Sequence, residues 1–211
     1  MRSTIKQRHV IFAGAIAWLL MVGSGLALLW DYSSAPGAPG SAPVQWPASS
    51  RIRPVSDRFT LVVVAHPHCP CSRATIGALG VLMARAQGRV NAHVLFVQPA
   101  GFDGDWVKTD LWRSAAAIPG VDVLQDEGGI EAHRFGAETS GQTLLYDPMG
   151  RLSFSGGITS ARGHYGDSAG LDSIVELVAS GAGNSSAAPV FGCPLFERGA
   201  QCSKGSKPCV G

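Results

Sequence analysis

Residues 10 to 30, V-I-F-A-G-A-I-A-W-L-L-M-V-G-S-G-L-A-L-L-W, carry no charge, and this limits the chain more than any other feature. A helix of roughly 20 apolar residues crosses a bilayer core, so a transmembrane anchor is expected here. Arg2, Lys6 and Arg8 precede it and Asp31 is the first charge after it. The positive-inside rule then leaves residues 1–9 in the cytoplasm and exports everything beyond Trp30. A cleaved leader is the rival reading, but its apolar region is usually about 7–15 residues and ends at a small-residue site. Leu28, Leu29 and Trp30 suit an interfacial anchor better.

Three of the 17 Lys and Arg residues lie before the span, so the exported part, which holds all 15 Asp and Glu, is near neutral. No basic block is present, which argues against nucleic acid as a partner. Residues 31–50 are rich in Pro, Ala, Gly and Ser and read as an extended, solvated tether. Residues 181–211 read as a second linker carrying a tail with Cys193, Cys202 and Cys209. Between them, residues 51–180 are enough for one domain and too few for two.

Short apolar runs alternate with helical patterns across that domain. Phe59 to Ala65 (F-T-L-V-V-V-A) is a β-branched run without alternation, as in a strand buried on both faces. From Ser72 to Ala86 a stripe of Ile76, Leu79, Leu82, Met83 and Ala86 has helical spacing. Residues 92–97 and 121–124 read as strands, 105–117 as a helix and 128–135 as a short one, with Asp126, Glu127 and Glu131 as its solvated start. Residues 143–146 and 152–154 flank D-P-M-G as a hairpin, and 171–178 closes with a helix. The order βαβαβα, hairpin, helix predicts an α/β domain with a mixed sheet flanked by helices.

The chemistry centres on H-P-H-C-P-C, residues 66–71, between the first strand and the first helix of the domain. An exported chain is one in which disulfides form and persist. A sulfur in the first turn of a helix meets the positive end of the macrodipole and free N–H groups, which favour thiolate. Cys69 is therefore the expected nucleophile and Cys71, deeper in the helix, the resolving partner, with His66 and His68 near enough to add charge or take a proton. A disulfide closed across one residue makes a small, strained ring, which predicts an oxidising couple. His66, His68, Cys69 and Cys71 are also a soft ligand set suited to copper or zinc, though established zinc sites use separated pairs.

The strand, cysteine pair at a helix start, βαβα, hairpin and last helix together resemble the thioredoxin fold, and more closely its membrane-anchored periplasmic branch, which carries an extra helix and strand in the middle. H-P-H-C-P-C-S-R-A, T-D-L-W-R-S-A-A-A-I-P-G-V, R-L-S-F-S-G-G-I-T and V-F-G-C-P-L also resemble a bacterial group labelled RedB. The resemblance implies a thioredoxin-like mixed sheet and a single-pass protein of the bacterial inner membrane with its C-terminal domain in the periplasm. The activity it implies is that of a thiol-disulfide oxidoreductase with no cofactor beyond its own redox-active disulfide, exchanging with a protein or small-thiol partner. The alternative is a copper-handling module on the same fold. Two departures stand out: only Pro70 separates the cysteines where thioredoxins have two residues, and Gly141 and Gln142 precede the hairpin where thioredoxins keep a cis-proline.

Cys193, between Gly192 and Pro194, is a candidate relay thiol or third metal ligand; Cys202 and Cys209 are either a stapling disulfide or exposed thiols. His93, His133 and His164 read as ordinary residues. No C-x-x-C-H or G-x-x-x-x-G-K pattern is present.

Overall fold

The computed structural model describes residues 2–181 and 186–196. It holds two compact units, Met1–Ala35 and Pro36–Gly211. The first is a helix, α1 (Arg2–Ser34), whose stretch Ile11–Ser34 has a mean hydropathy of 2.1 and is long and apolar enough to cross a membrane. Its large side chains, Leu20, Leu28 and Trp30 among them, stand exposed, the arrangement that lipid rather than water rewards.

The second unit runs β1 (Phe59–Ala65), α2 (Pro70–Ala86), β2 (Val90–Gln98), a 3-10 turn (Gly104–Val107), α3 (Asp110–Ala116), β3 (Val121–Glu127), α4 (Ile130–Arg134), β4 (Gln142–Tyr146), β5 (Leu152–Gly156), α5 (Ala169–Ser180) and β6 (Ser186–Ala187). Six strands form one sheet in the order β3-β2-β1-β4-β5-β6. The first three are parallel, β4 is antiparallel to both β1 and β5, and β6 is parallel to β5. This mixed sheet flanked by helices is the architecture that the order of elements predicted and that the resemblance to the thioredoxin fold implied.

Central β1 is buried at all seven positions, so its residues feed two cores by turns. Leu61 and Val63 point to one face, where Leu79 and Leu82 of α2, Leu111 of α3 and Ile174 of α5 pack. Val62 and Val64 point to the other, against Phe135, Leu144, Tyr146 and Ile52. That second face is covered in part by segments expected to be solvated linkers. Gly37 N–H donates to Val190 O (2.8 Å), Ser41 N–H to Gly136 O (2.9 Å) and Leu152 N–H to Val44 O (2.9 Å). Tyr146 Oη donates to Pro43 O at 3.0 Å, and Trp46 meets the rings of Phe135 and Tyr146 edge-on, each at 5.0 Å. Residues 36–50 thus form a strap, because small residues let its backbone lie flat on the domain: a Cβ on Gly136 would stand 1.9 Å from Ser41 O. Beyond α5, β6 adds to the sheet and Val190 and Leu195 are buried.

Two other expectations are corrected. The helix expected over 105–117 breaks at Lys108–Thr109, where the Thr109 hydroxyl caps α3 by accepting from Trp112 N–H. Asp126 and Glu131, expected to be solvated, are fully buried, while Glu127 is exposed. Asp126 lies in β3 and its carboxylate accepts from Glu131 N–H (2.9 Å) and Ala132 N–H (2.8 Å), capping the short α4. The Glu131 carboxylate accepts from Ser50 Oγ at 2.6 Å, from Arg51 N–H and from Arg134, tying the end of the strap to α4.

Candidate active site

The end of β1 aims the chain at the start of α2, and the turn between them sets the site. Cys69 is the N-cap of α2, with φ −88° and ψ 124°, and Pro70 occupies the first helical position, where its missing N–H costs nothing. Cys69 N–H closes the turn onto His66 O at 3.2 Å. Ser72 in the first turn donates to His66 O at 2.8 Å, and its hydroxyl lies 2.9 Å from that of Ser140, which accepts from His66 N–H at 3.0 Å. Gly141 N–H donates to Val64 O at 2.7 Å. The loop before β4, where the thioredoxin pattern would place a cis-proline, is therefore fastened to the cysteine turn through Ser140, and no cis peptide occurs among the described residues.

Three cysteines converge here. The sulfur atoms of Cys69, Cys71 and Cys193 all lie within 4.8 Å of one another, and the Cys69 and Cys193 Sγ atoms are 3.3 Å apart. Cys69 and Cys71 are 5% and 8% exposed, whereas Cys193 is only partly buried. Cys202 and Cys209 lie outside the described residues.

Their environments pull the three sulfurs apart. Burial raises the Cys69 pKa, but the hydrogen bond from Cys193 and the backbone N–H groups of Ser72, Cys71 and Cys193 outweigh it, so the thiol sits below its ordinary value. Cys71 is raised, first by burial and then by the charge of Cys69 and a hydrogen bond with it. Cys193 is pushed up to about 12 by burial, then by its hydrogen bond to Cys69 and by the charges of both neighbours. The Arg162 guanidinium opposes both rises and donates to the Gly192 carbonyl. Cys69 is therefore the first of the three to ionise, and Cys71 and Cys193 hold their protons longer.

The histidines line the turn, and their hydrogen bonds run elsewhere than the sulfurs. His68 N–H donates to His66 Nδ1 at 3.2 Å, and His68 Nε2 lies 3.0 Å from Trp106 O. Both rings pack on the Trp106 indole, at 5.5 Å for His66 and 4.5 Å for His68. Burial, then the charge of His68, lowers the His66 pKa, so at neutral pH that imidazole is neutral and adds no positive charge beside Cys69. The compact ligand cluster accordingly consists of the three cysteines, without the His66 and His68 of the expected metal set. His133 stacks on Phe196, with centroids 3.9 Å apart.

Ser72, Ser140, Trp106, Thr109 and Arg162 were not anticipated as site residues. Trp106 and Thr109, whose hydroxyl donates to Pro67 O at 3.3 Å, belong to the segment inserted between β2 and β3. Only the position of T-S-G just before a strand pointed toward Ser140; the others are common residue types in irregular chain.

No family model matches the chain, and no curated protein does. Among solved structures, a hypothetical protein of Sinorhizobium meliloti is 19% identical with a TM-score of 0.58, covering 74% of this chain and 94% of its own. An uncharacterized conserved protein of Geobacillus kaustophilus is 14% identical with a TM-score of 0.55, covering 79% and 94%. A thioredoxin-like protein solved in its oxidized form is 15% identical with a TM-score of 0.47, covering 72% and 97%. The first two likenesses show a shared fold.

Proposed function

We propose that this protein is a thiol-disulfide oxidoreductase, held in a bacterial inner membrane by residues 10–30 with its domain in the periplasm, in which Cys69 makes and breaks disulfides and Cys71 closes the ring with it. The observation that carries this reading is the Cys69 sulfur at the N-cap of α2, below the ordinary thiol pKa and with two further sulfurs within 4.8 Å. A thiolate is the attacking species in exchange, and a low-pKa thiol is also the better leaving group. Holding Cys69 ionised stabilises the reduced form, which makes the couple oxidising toward a protein or small-thiol partner. Burial first and the charge of Cys69 second raise the Cys71 pKa; once Cys69 enters a mixed disulfide the second cause is gone, which brings Cys71 closer to the thiolate that attacks.

The test is the rate of iodoacetamide labelling against pH in the full-length protein and in Cys69→Ser. A labelling midpoint below the free-cysteine value of about 8.5, absent from Cys69→Ser, is expected. A midpoint at or above that value overturns the reading.

A second reading is favoured by the sulfur cluster itself. Three thiolates suit Cu(I) or zinc, and an ion about 2.3 Å from each sulfur would hold the sulfurs about 4 Å apart, within the spread found here. Stoichiometric metal in protein purified without chelator, lost in Cys69→Ser, would favour it.

A further inference from the structure

The segment that brings Cys193 to Cys69 is built into the domain. Ser140 N–H donates to Cys193 O and Leu195 N–H to Glu138 O, both at 2.9 Å, while Thr139 and Pro194 form an antiparallel bridge. Gly192 approaches so closely that a Cβ there would stand 1.8 Å from Ser140 O. Arg162 holds the Gly192 carbonyl, and Leu195 is buried in the core of the strap-covered face. The Cys193 sulfur is thereby presented to Cys69 as a strand would present it. It covers Cys69, which is nearly inaccessible, and it belongs to the most exposed of the three cysteines.

We propose that Cys193 is the sulfur through which a dithiol partner reaches the Cys69–Cys71 disulfide, an inference that rests on the oxidoreductase reading above. In the first step the Cys193 thiolate attacks Cys69 Sγ. The 193–69 bond forms, the 69–71 bond breaks, and Cys71 leaves with the electron pair and takes up a proton. In the second a partner thiolate attacks Cys193 Sγ; the partner–193 bond forms, the 193–69 bond breaks, and Cys69 departs as its favoured thiolate. In the third the partner's other thiolate attacks the partner sulfur of the mixed disulfide and expels Cys193. One disulfide has formed in the partner and one has been reduced in the protein, with both electrons accounted for. The geometry runs the same way: the Cys193 and Cys69 sulfurs are already 3.3 Å apart, so the first step needs no large movement of the chain.

A relay and a mere cover predict opposite signs. If Cys193 only shields Cys69, replacing its sulfur opens the site and exchange speeds up. If it relays, exchange slows, on the order of tenfold or more, because a thiol held in place acts at high effective concentration. The experiment uses the full-length oxidised protein with dithiothreitol as the probe dithiol, following loss of the 69–71 disulfide by quenched alkylation and mass. Slow reduction of Cys193→Ser is expected, together with a 69–193 disulfide in Cys71→Ser treated with oxidised glutathione. Reduction of Cys193→Ser at or above the wild-type rate, or Cys71→Ser that gives only glutathionylated Cys69, overturns the relay while leaving the pair intact. A wild-type protein whose 69–71 disulfide never forms or never exchanges overturns both proposals.

Discussion

The two faces of the sheet are closed by different means. On one, α2, α3 and α5 lay apolar side chains such as Leu79, Leu82 and Ile174 onto the odd positions of β1. On the other, a single-turn helix, the strap and the segment around Leu195 share the work, and backbone hydrogen bonds and one tryptophan stand in for much of the helical packing. Both buried carboxylates among the described residues, Asp126 and Glu131, belong to this second face. A face made by periodic side chains should fail as a whole; a face made by tied-down segments should fail tie by tie.

Three measurements break or sharpen that contrast, beginning with the largest effect. Leu82→Ala, at a fully buried position of α2, should cost about 3 kcal/mol in denaturant unfolding, as large-to-small core changes do. The loss should be global, with proteolysis sites unchanged; preferential cleavage in residues 36–50 would contradict it. Trp46→Ala should cost less, about 2 kcal/mol because the ring is only half-buried, and should open the strap to protease before the domain unfolds. Equal protease resistance in variant and parent would refute the strap's dependence on that ring.

Glu131→Gln is the smallest, about 1 kcal/mol near neutral pH, and its signature is a pH profile. Burial works against the Glu131 carboxylate, but Ser50, Arg51 and Arg134 outweigh it and hold its pKa below the usual value. A depressed acid contributes stability that is complete above the unfolded carboxylate range and is lost as pH falls through the folded value. The gap between parent and Glu131→Gln in urea midpoint should therefore close on acidification; a gap that is constant with pH would show that the carboxylate acts by shape alone.

Much of the first face was legible in the residue order. The unbroken run of β1 and the stripe of α2 announce themselves, and α2 begins only two residues before its expected start. The second face was not legible, because composition reports what side chains can bury and says nothing of where backbone N–H groups go. Pro, Gly and Ser in residues 36–50 look the same solvated or docked. Thr109 shows the same limit, since one hydroxyl turned an expected continuous helix into a 3-10 turn and a short helix. In the site, cysteines were read readily because few other roles suit a pair at a strand-to-helix turn, and Cys193 was noticed through its Gly-Cys-Pro setting. Ser140 and Arg162 act through position, which only the folded chain supplies.

The contact between Cys69 and Cys193 joins residues 124 apart in sequence. During synthesis the first two cysteines emerge long before the third, so the chain passes through an interval in which the Cys69 sulfur is bare and open to any oxidant or stray thiol nearby. Maturation is complete only when the segment around Gly192 is laid into place, and a stalled or clipped chain would be the more promiscuous species.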